Sequence, residues 1–174
     1  MELFLADRVS IQYVMEPFPA AFEPQPYEVE VEMQSIFEIC KIVQPAASEM
    51  AVFGLIDAFL ASLRLDELEE THQSSFREVD RAEAGNILTY LLSYDLVHDY
   101  RATSLSEKQV ATIVERFLTL FSSHPRYFTN GEFNLDVKQF GLRNWFPLTS
   151  HTFDTGLILV DEQRIGIFWE VAED

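Results

Sequence analysis

The stretch FDTGLILVDEQRIGIFWEV, residues 153–171, contains two short runs rich in Phe, Ile and Val, separated by the polar tetrapeptide DEQR. Short apolar runs joined by a polar connection are typical of a β-hairpin. A second hairpin is indicated by RYFTNGEFNL, residues 126–135, because Asn130-Gly131 between aromatic residues is the strongest short hairpin signal. The last third of the chain is therefore predicted to form a small antiparallel sheet.

Strand alternation divides the second run of that hairpin between two faces. Ile167, Trp169 and Val171 share one face, and Phe168 shares the other with Glu170. We predict that Trp169 lies in the core and that Phe168 is an exposed aromatic anchor beside Glu170.

Upstream of the predicted sheet, the apolar spacing is helical. Ser48 can cap a helix with the apolar stripe Val52, Leu55, Ile56, Phe59 and Leu63. Residues 82–100 are apolar almost all round near their middle, which predicts the most buried helix. The pair Ser104 and Glu107 matches a capping box before an amphipathic run that ends at residue 121, and Asp66 with Glu69 opens a weaker helix.

The first 43 residues are harder to assign. Loose alternation in residues 1–15 suggests a strand that could join the sheet, and four prolines in residues 16–26 indicate an extended connection. Tyr27–Val43 is favoured as a helix stopped before Pro45, with a strand followed by a helix as the alternative. The prediction is a single α+β domain over residues 1–174, with a helical N-terminal two-thirds packed on one face of a small C-terminal antiparallel β-sheet.

The charge of the chain is strongly acidic. It has 29 Asp and Glu against 12 Lys and Arg, a net of −17. Residues 1–70 hold 14 acidic and 3 basic residues, which gives −11 of that total. Such a surface repels nucleic acid and anionic membranes and attracts basic proteins, although acidity can also serve solubility alone.

The sequence predicts a cytoplasmic protein. Asp57 interrupts the most apolar run, and the first residues lack the basic and apolar regions of a secretory signal. Cys40 is the single cysteine, so neither an internal disulfide nor a cysteine metal cluster can form, and its apolar neighbours predict a core position.

The tetrapeptide FDTG, residues 153–156, matches the motif around the catalytic aspartate of aspartic proteases. Those enzymes hold two such aspartates close together, but the chain has no second Asp-Thr-Gly or Asp-Ser-Gly, and only 18 residues follow Gly156. We therefore predict that Asp154 accepts backbone N–H groups as the chain enters its strand, and that Gly156 permits a bulge or close packing.

The remaining candidates for catalysis or metal binding are four histidines, which are His72, His98, His124 and His151. His98-Asp99 lacks the additional helical histidines of a phosphohydrolase metal site, and His124 is interpreted as a helix-end residue. A local hydrogen bond between His151 and Asp154 is possible, but no nucleophile accompanies it. The sequence thus predicts no catalytic residue, no metal ligand and no cofactor.

The C-terminal stretch NWFPLTSHTFDTGLILVDEQRIGIFWEVAED, residues 144–174, resembles the ends of small bacterial immunity proteins, which neutralise polymorphic or contact-dependent toxins. The resemblance implies a stoichiometric inhibitor that covers its cognate toxin domain in the cytoplasm. A toxin that acts on nucleic acid is usually basic, which would suit an acidic inhibitor.

This resemblance makes the C-terminal hairpin the leading partner-binding surface. Its predicted contact residues are Asp161, Glu162, Phe168, Glu170, Glu173 and Asp174. The competing surface is the acidic segment that contains Glu67, Glu69 and Glu70. The alternative function is that of a small enzyme or ligand-binding domain with an unmarked pocket among the helices.

Overall fold

A computed structural model describes residues 22–24, 35–42, 49–63, 65, 75–97, 101, 105–121, 124–134 and 141–172. Within these ranges the elements are strands and helices in mixed order. They are β1 Phe22–Pro24, β2 Ser35–Ile42, α1 Glu49–Ser62, β3 Arg77–Val79, α2 Arg81–Leu91, α3 Glu107–Thr119, β4 Arg126–Thr129, β5 Gly131–Asn134, β6 Gly141–Trp145, β7 Phe153–Val160 and β8 Arg164–Ala172.

The predicted C-terminal hairpin is confirmed and lies in the middle of the main sheet. β7 and β8 pair antiparallel, from Phe153 opposite Ala172 to Val160 opposite Ile165. Asp161 closes the turn, because its Oδ1 accepts the backbone N–H groups of Gln163 and Arg164, each at 2.7 Å. The six strands of this sheet follow the order β1-β2-β8-β7-β4-β3, and every pairing is antiparallel.

The α+β class is confirmed, but the sheet is covered on both faces rather than on one. Alternate residues of β7 enter two different cores, with Leu157 and Leu159 in one and Ile158 and Val160 in the other. The first core contains the buried faces of α2 and α3, and the second contains the buried face of α1. Because neighbouring residues of a strand point to opposite faces, the helices lie in two layers around the sheet.

The helix predictions hold for three segments, but one helix is shorter and one cap is changed. α1 buries Ile56, Phe59 and Leu60. The helix predicted over residues 82–100 forms only as α2, which begins after the N-cap Asp80 and ends at Leu91, since residues 92–97 are not helical. α3 has a capping box, but Ser106 and Gln109 form it, not Ser104 and Glu107. Glu107 is instead the first residue of the helix.

Two predicted helices are wrong where the structure describes them. Residues 35–42 form β2, which pairs with β8 from Ser35 opposite Glu170 to Lys41 opposite Arg164. Both interpretations of Tyr27–Val43 ended in a helix, and neither is correct over these residues. The weaker helix after Asp66 is also wrong at its end, since Arg77–Val79 is an edge strand.

The predicted Asn130-Gly131 hairpin does not form. β4 pairs with β3 and β7, whereas β5 pairs with β6 in a separate two-stranded ribbon. A type I′ turn needs positive φ at both central residues, and within the described ranges positive φ occurs only at His124 and Gly141. Asn130 therefore lies at the point where the chain leaves the main sheet.

Gly156 allows the close packing that the sequence predicted. A Cβ atom at this position would lie 2.3 Å from the carbonyl oxygen of Phe168 and 2.4 Å from the Trp169 ring. β7 can therefore approach β8 at this point only with glycine.

Candidate functional site

The predicted contact residues on β8 are buried. Phe168 is 2% exposed and Glu170 is 3% exposed, because β8 lies between β2 and β7 and both of its faces are covered. The alternation itself is confirmed, with Phe168 in the core beneath α2 and α3 and Trp169 in the core beneath α1. The prediction that Phe168 is an exposed anchor beside Glu170 is wrong.

The other predicted contact residues differ in their placement. Asp161 is buried in the turn, and Glu162 beside it is exposed. The remaining predicted contacts lie outside the described residues, and so do two of the histidines; they are Glu67, Glu69, Glu70, Glu173, Asp174, His72 and His98.

Asp154 lies at the centre of a buried polar cluster and is 0% exposed. Its Oδ2 accepts the backbone N–H of Leu148 at 2.8 Å, the N–H of Thr149 at 2.5 Å and the Thr149 hydroxyl at 2.7 Å. Its Oδ1 accepts the side-chain amide of Asn130 at 3.3 Å. The expectation that this carboxylate binds backbone N–H groups is confirmed.

Burial raises the pKa of Asp154 above its usual 3.8, and several contacts act against that shift. Hydrogen bonds from Thr149 and Leu148 and the nearby charge of His151 lower the pKa. His151 reaches the carboxylate only indirectly, since its Nδ1 lies 3.0 Å from the Thr149 hydroxyl, which donates to Asp154. The direct His151–Asp154 hydrogen bond that the sequence allowed is thus replaced by a bridge through Thr149.

Asn130 supplies β7 with the hydrogen bonds that β4 no longer provides. β4 pairs with β7 only as far as Phe128 opposite Ile158. Beyond that pair, the Asn130 Nδ2 donates to the carbonyl of Asp154 at 2.9 Å, and its Oδ1 accepts the N–H of Gly156 at 3.3 Å. The side-chain amide thereby takes the place of a backbone peptide in the ladder and leaves these buried groups satisfied.

The same asparagine holds the backbone of Phe146 from both sides. The Phe146 N–H donates to the Asn130 carbonyl at 3.1 Å, and the Phe146 carbonyl accepts the Asn130 Nδ2 at 2.8 Å. The side chain of Phe146 is nevertheless 55% exposed, and no other large apolar side chain is exposed among the described residues. A buried cluster therefore holds the backbone of a residue whose aromatic ring is exposed.

Phe146 borders a small cleft of about 120 Å³ between the edge strand β3 and the β5–β6 ribbon. Aromatic rings line it at Phe76 and Trp145, and the latter stacks on Phe153 with ring centroids 5.0 Å apart. The polar lining includes Glu132 and Asn144. The cleft therefore offers apolar walls together with a carboxylate and an amide at an accessible surface.

The cations of β3 and β4 near this cleft are engaged. Arg77 lies 2.6 Å from the Glu83 carboxylate and also donates to the Gly131 carbonyl at 3.2 Å. Arg126 binds Glu78 through two hydrogen bonds of 2.8 and 2.7 Å, which lower the pKa of Glu78. Their positive charge is thus largely balanced locally.

Most of the excess negative charge belongs to parts of the sequence that the structure does not describe. Of the 29 acidic and 12 basic residues, 12 acidic and 8 basic ones have described side chains. The described side chains therefore carry a net −4 of the total −17. Within the same ranges, no helix is long and apolar enough to cross a membrane. No group of three or more described His, Cys, Asp or Glu residues could hold a metal ion.

Sequence reasoning missed Phe146 and Asn130 as site residues. β6 ends at Trp145, and Phe146 and Pro147 follow it on the surface. Pro147 was the available signal, because proline lacks the N–H that a continuing strand needs.

Comparisons of the chain with protein-family models, with curated proteins and with solved structures found no match.

Proposed function

We propose that this chain is a stoichiometric inhibitor of a basic protein, and specifically an immunity protein that covers a toxin domain in the cytoplasm. The exposed ring of Phe146, on a backbone that Asn130 holds through two hydrogen bonds, is the observation that supports this proposal most directly. Aromatic side chains at the centre of an interface commonly contribute most of the binding energy. A backbone that is already held in place loses little further conformational freedom on binding.

The acidity of the chain supplies the second part of the mechanism. A net charge of −17 attracts a basic partner and accelerates encounter, while the aromatic contact slows dissociation. The interface would then combine an apolar anchor with long-range attraction by the acidic chain. The buried Phe168 and Glu170 have no part in this contact unless β8 is uncovered.

The test starts with affinity purification of the tagged protein from its source cell at low salt and identification of a stoichiometric basic partner. The toxic activity of that purified partner is then titrated with the wild type, with Phe146→Ala and with Phe146→Trp. We expect the activity to vanish at a 1:1 ratio with the wild type and with Phe146→Trp, which keeps a ring. A partner that stays active in the complex would refute inhibition.

A second candidate function rests on a different cavity. A space of about 300 Å³ lies between α2 and α3 and is lined by Thr89, Ser93, Tyr94, Arg101 and Glu107 among others. This volume is at the lower end of small-ligand sites, and its location matches the alternative of a pocket among the helices. Binding of a small molecule that is abolished by Ala111→Trp, a substitution in the lining, would favour this function.

A further inference from the structure

One face of the β5–β6 ribbon presents three exposed side chains of complementary chemistry. Glu132 and Asn144 are directly opposite each other in the ladder, so their side chains point to the same side. Phe146 follows Asn144 by two positions, just beyond the end of β6, and lines the same cleft. All three residues are exposed and all three line the 120 Å³ cleft. A carboxylate, a carboxamide and an aromatic ring are thus grouped at one small site.

The size and charge of the cleft limit what can occupy it. A space of about 120 Å³ accepts a single side chain rather than a helix or a drug-sized ligand. Glu132 contributes a carboxylate to the lining, whereas the guanidinium of Arg77 is already held by Glu83 and Gly131. Because Glu83 balances Arg77, the carboxylate of Glu132 leaves the cleft with a net negative charge, which favours a cationic side chain.

We propose that this face binds an arginine side chain of the basic partner. The guanidinium stacks on the ring of Phe146 and donates to the Glu132 carboxylate, and the Asn144 side-chain oxygen accepts a further N–H. Arginine fits better than lysine because its planar group can stack on a ring and pair with a carboxylate at the same time. This inference rests on the proposed function, since it names the chemical group that the inhibitor recognises.

The experiment is a titration of ¹⁵N-labelled full-length protein with the capped tripeptide acetyl-Gly-Arg-Gly-amide, followed by amide chemical shifts. The same tripeptides with lysine and with the neutral isostere citrulline are run in parallel. We expect saturable shifts at Glu132, Asn144 and Phe146 with arginine, at least threefold weaker binding with lysine, and no saturation with citrulline. Equal binding of lysine, or saturation by citrulline, would overturn the assignment.

Variants test whether arginine binds at this cleft or is attracted only by the overall negative charge of the protein. Glu132→Gln and Phe146→Ala should each weaken arginine binding at least fivefold, whereas Glu115→Gln on α3, which removes another exposed carboxylate, should leave it unchanged. Loss of binding in Glu162→Gln instead would move the site to the hairpin turn. If the tripeptide fails to bind but an identified basic partner still requires Phe146, the arginine assignment falls and the proposed function stands.

Discussion

Replacing Asp154 by alanine should destabilise the fold far more than replacing an exposed capping aspartate. The substitution leaves three buried donors without their acceptor, which are the N–H groups of Leu148 and Thr149 and the Thr149 hydroxyl. A buried donor without a partner costs about 1–3 kcal/mol, and the hydroxyl can rotate to another acceptor. Relief from burying a charge offsets part of the cost of the two N–H groups. We expect a loss of about 2–4 kcal/mol in the free energy of unfolding.

The matched control is Asp80→Ala. Asp80 is exposed at the N-cap of α2 and accepts a single N–H, that of Glu83 at 2.8 Å. Loss of such a cap typically costs about 1 kcal/mol. Urea unfolding followed by circular dichroism measures both variants against the wild type, and for a urea slope of about 2 kcal/mol/M the Asp154→Ala midpoint should fall by about 1–2 M. A loss for Asp154→Ala no larger than that for Asp80→Ala would show that the buried cluster does not stabilise the fold.

Further predictions concern pH, packing, the exposed ring and salt. Because burial raises the pKa of Asp154 above 3.8, its contribution to stability is complete below that pH and is lost as the pH rises through the raised value. The unfolding free energy of the wild type minus that of Asp154→Asn should therefore shrink with rising pH, and a growing difference would mean that the hydrogen bonds outweigh burial. Gly156→Ala should cost at least about 2 kcal/mol by thermal unfolding, because backbone atoms of β8 block the new methyl, whereas Gly54→Ala in α1, which meets nothing within 4 Å, should stabilise by about 0.5–1 kcal/mol. Phe146→Ala should change the free energy of unfolding by less than about 0.5 kcal/mol and weaken partner binding more than about tenfold, because the ring is exposed. Phe168→Ala should instead lower the free energy of unfolding by about 3–5 kcal/mol, because that ring is buried. The association rate with the basic partner should fall several-fold from low to physiological salt, where the Debye length is about 8 Å; a constant rate would leave the acidity as a solubility feature.

The elements that could be predicted from the sequence are those whose local signals agree with their surroundings. The β7–β8 hairpin has two apolar runs and a polar connection, and Asp161 in that connection accepts the backbone N–H of Gln163 in the turn. α3 has an apolar stripe that matches its buried face, and the strongly apolar middle of α2 is buried. In each case the local pattern and the tertiary contacts favour the same structure.

β2 shows why other elements could not be predicted. The segment from Met33 to Cys40 has apolar residues at helical spacing, and this spacing favoured a helix. The pairing of residues 35–41 with β8 decides the outcome, and that partner lies more than 120 residues away in sequence. Ile39 and Ile42 then enter different cores on opposite faces of the sheet, which helical spacing does not indicate.

Asn130 shows the same limit for the site. Asn-Gly is a strong turn signal because both residues tolerate positive φ, but neither adopts it here. The asparagine is instead needed for its side-chain amide, which replaces a missing strand neighbour of Asp154 and Gly156. The need for such a side-chain amide arises only where β4 separates from β7. The local sequence does not indicate where that separation occurs.

The arrangement of the polar cluster bears directly on why the chain keeps a buried aspartate in this loop. Leu148 is already 2% exposed and packs in the core beneath α1, so apolar contact alone could close the loop after β6. A buried carboxylate is a poor means of gaining stability, because its desolvation offsets much of the energy of its hydrogen bonds. Such a group does fix orientation, since hydrogen bonds restrict direction more than apolar packing does. Here Asp154 accepts the backbone N–H groups of Leu148 and Thr149 and the side-chain amide of Asn130. Asn130 in turn binds both backbone groups of Phe146. Fixed orientation matters little for a loop that only connects two strands. In the proposed interface, however, a loop backbone that is already held in place would lower the entropic cost of binding through Phe146, and this gives the aspartate of the FDTG motif a structural role in that proposal.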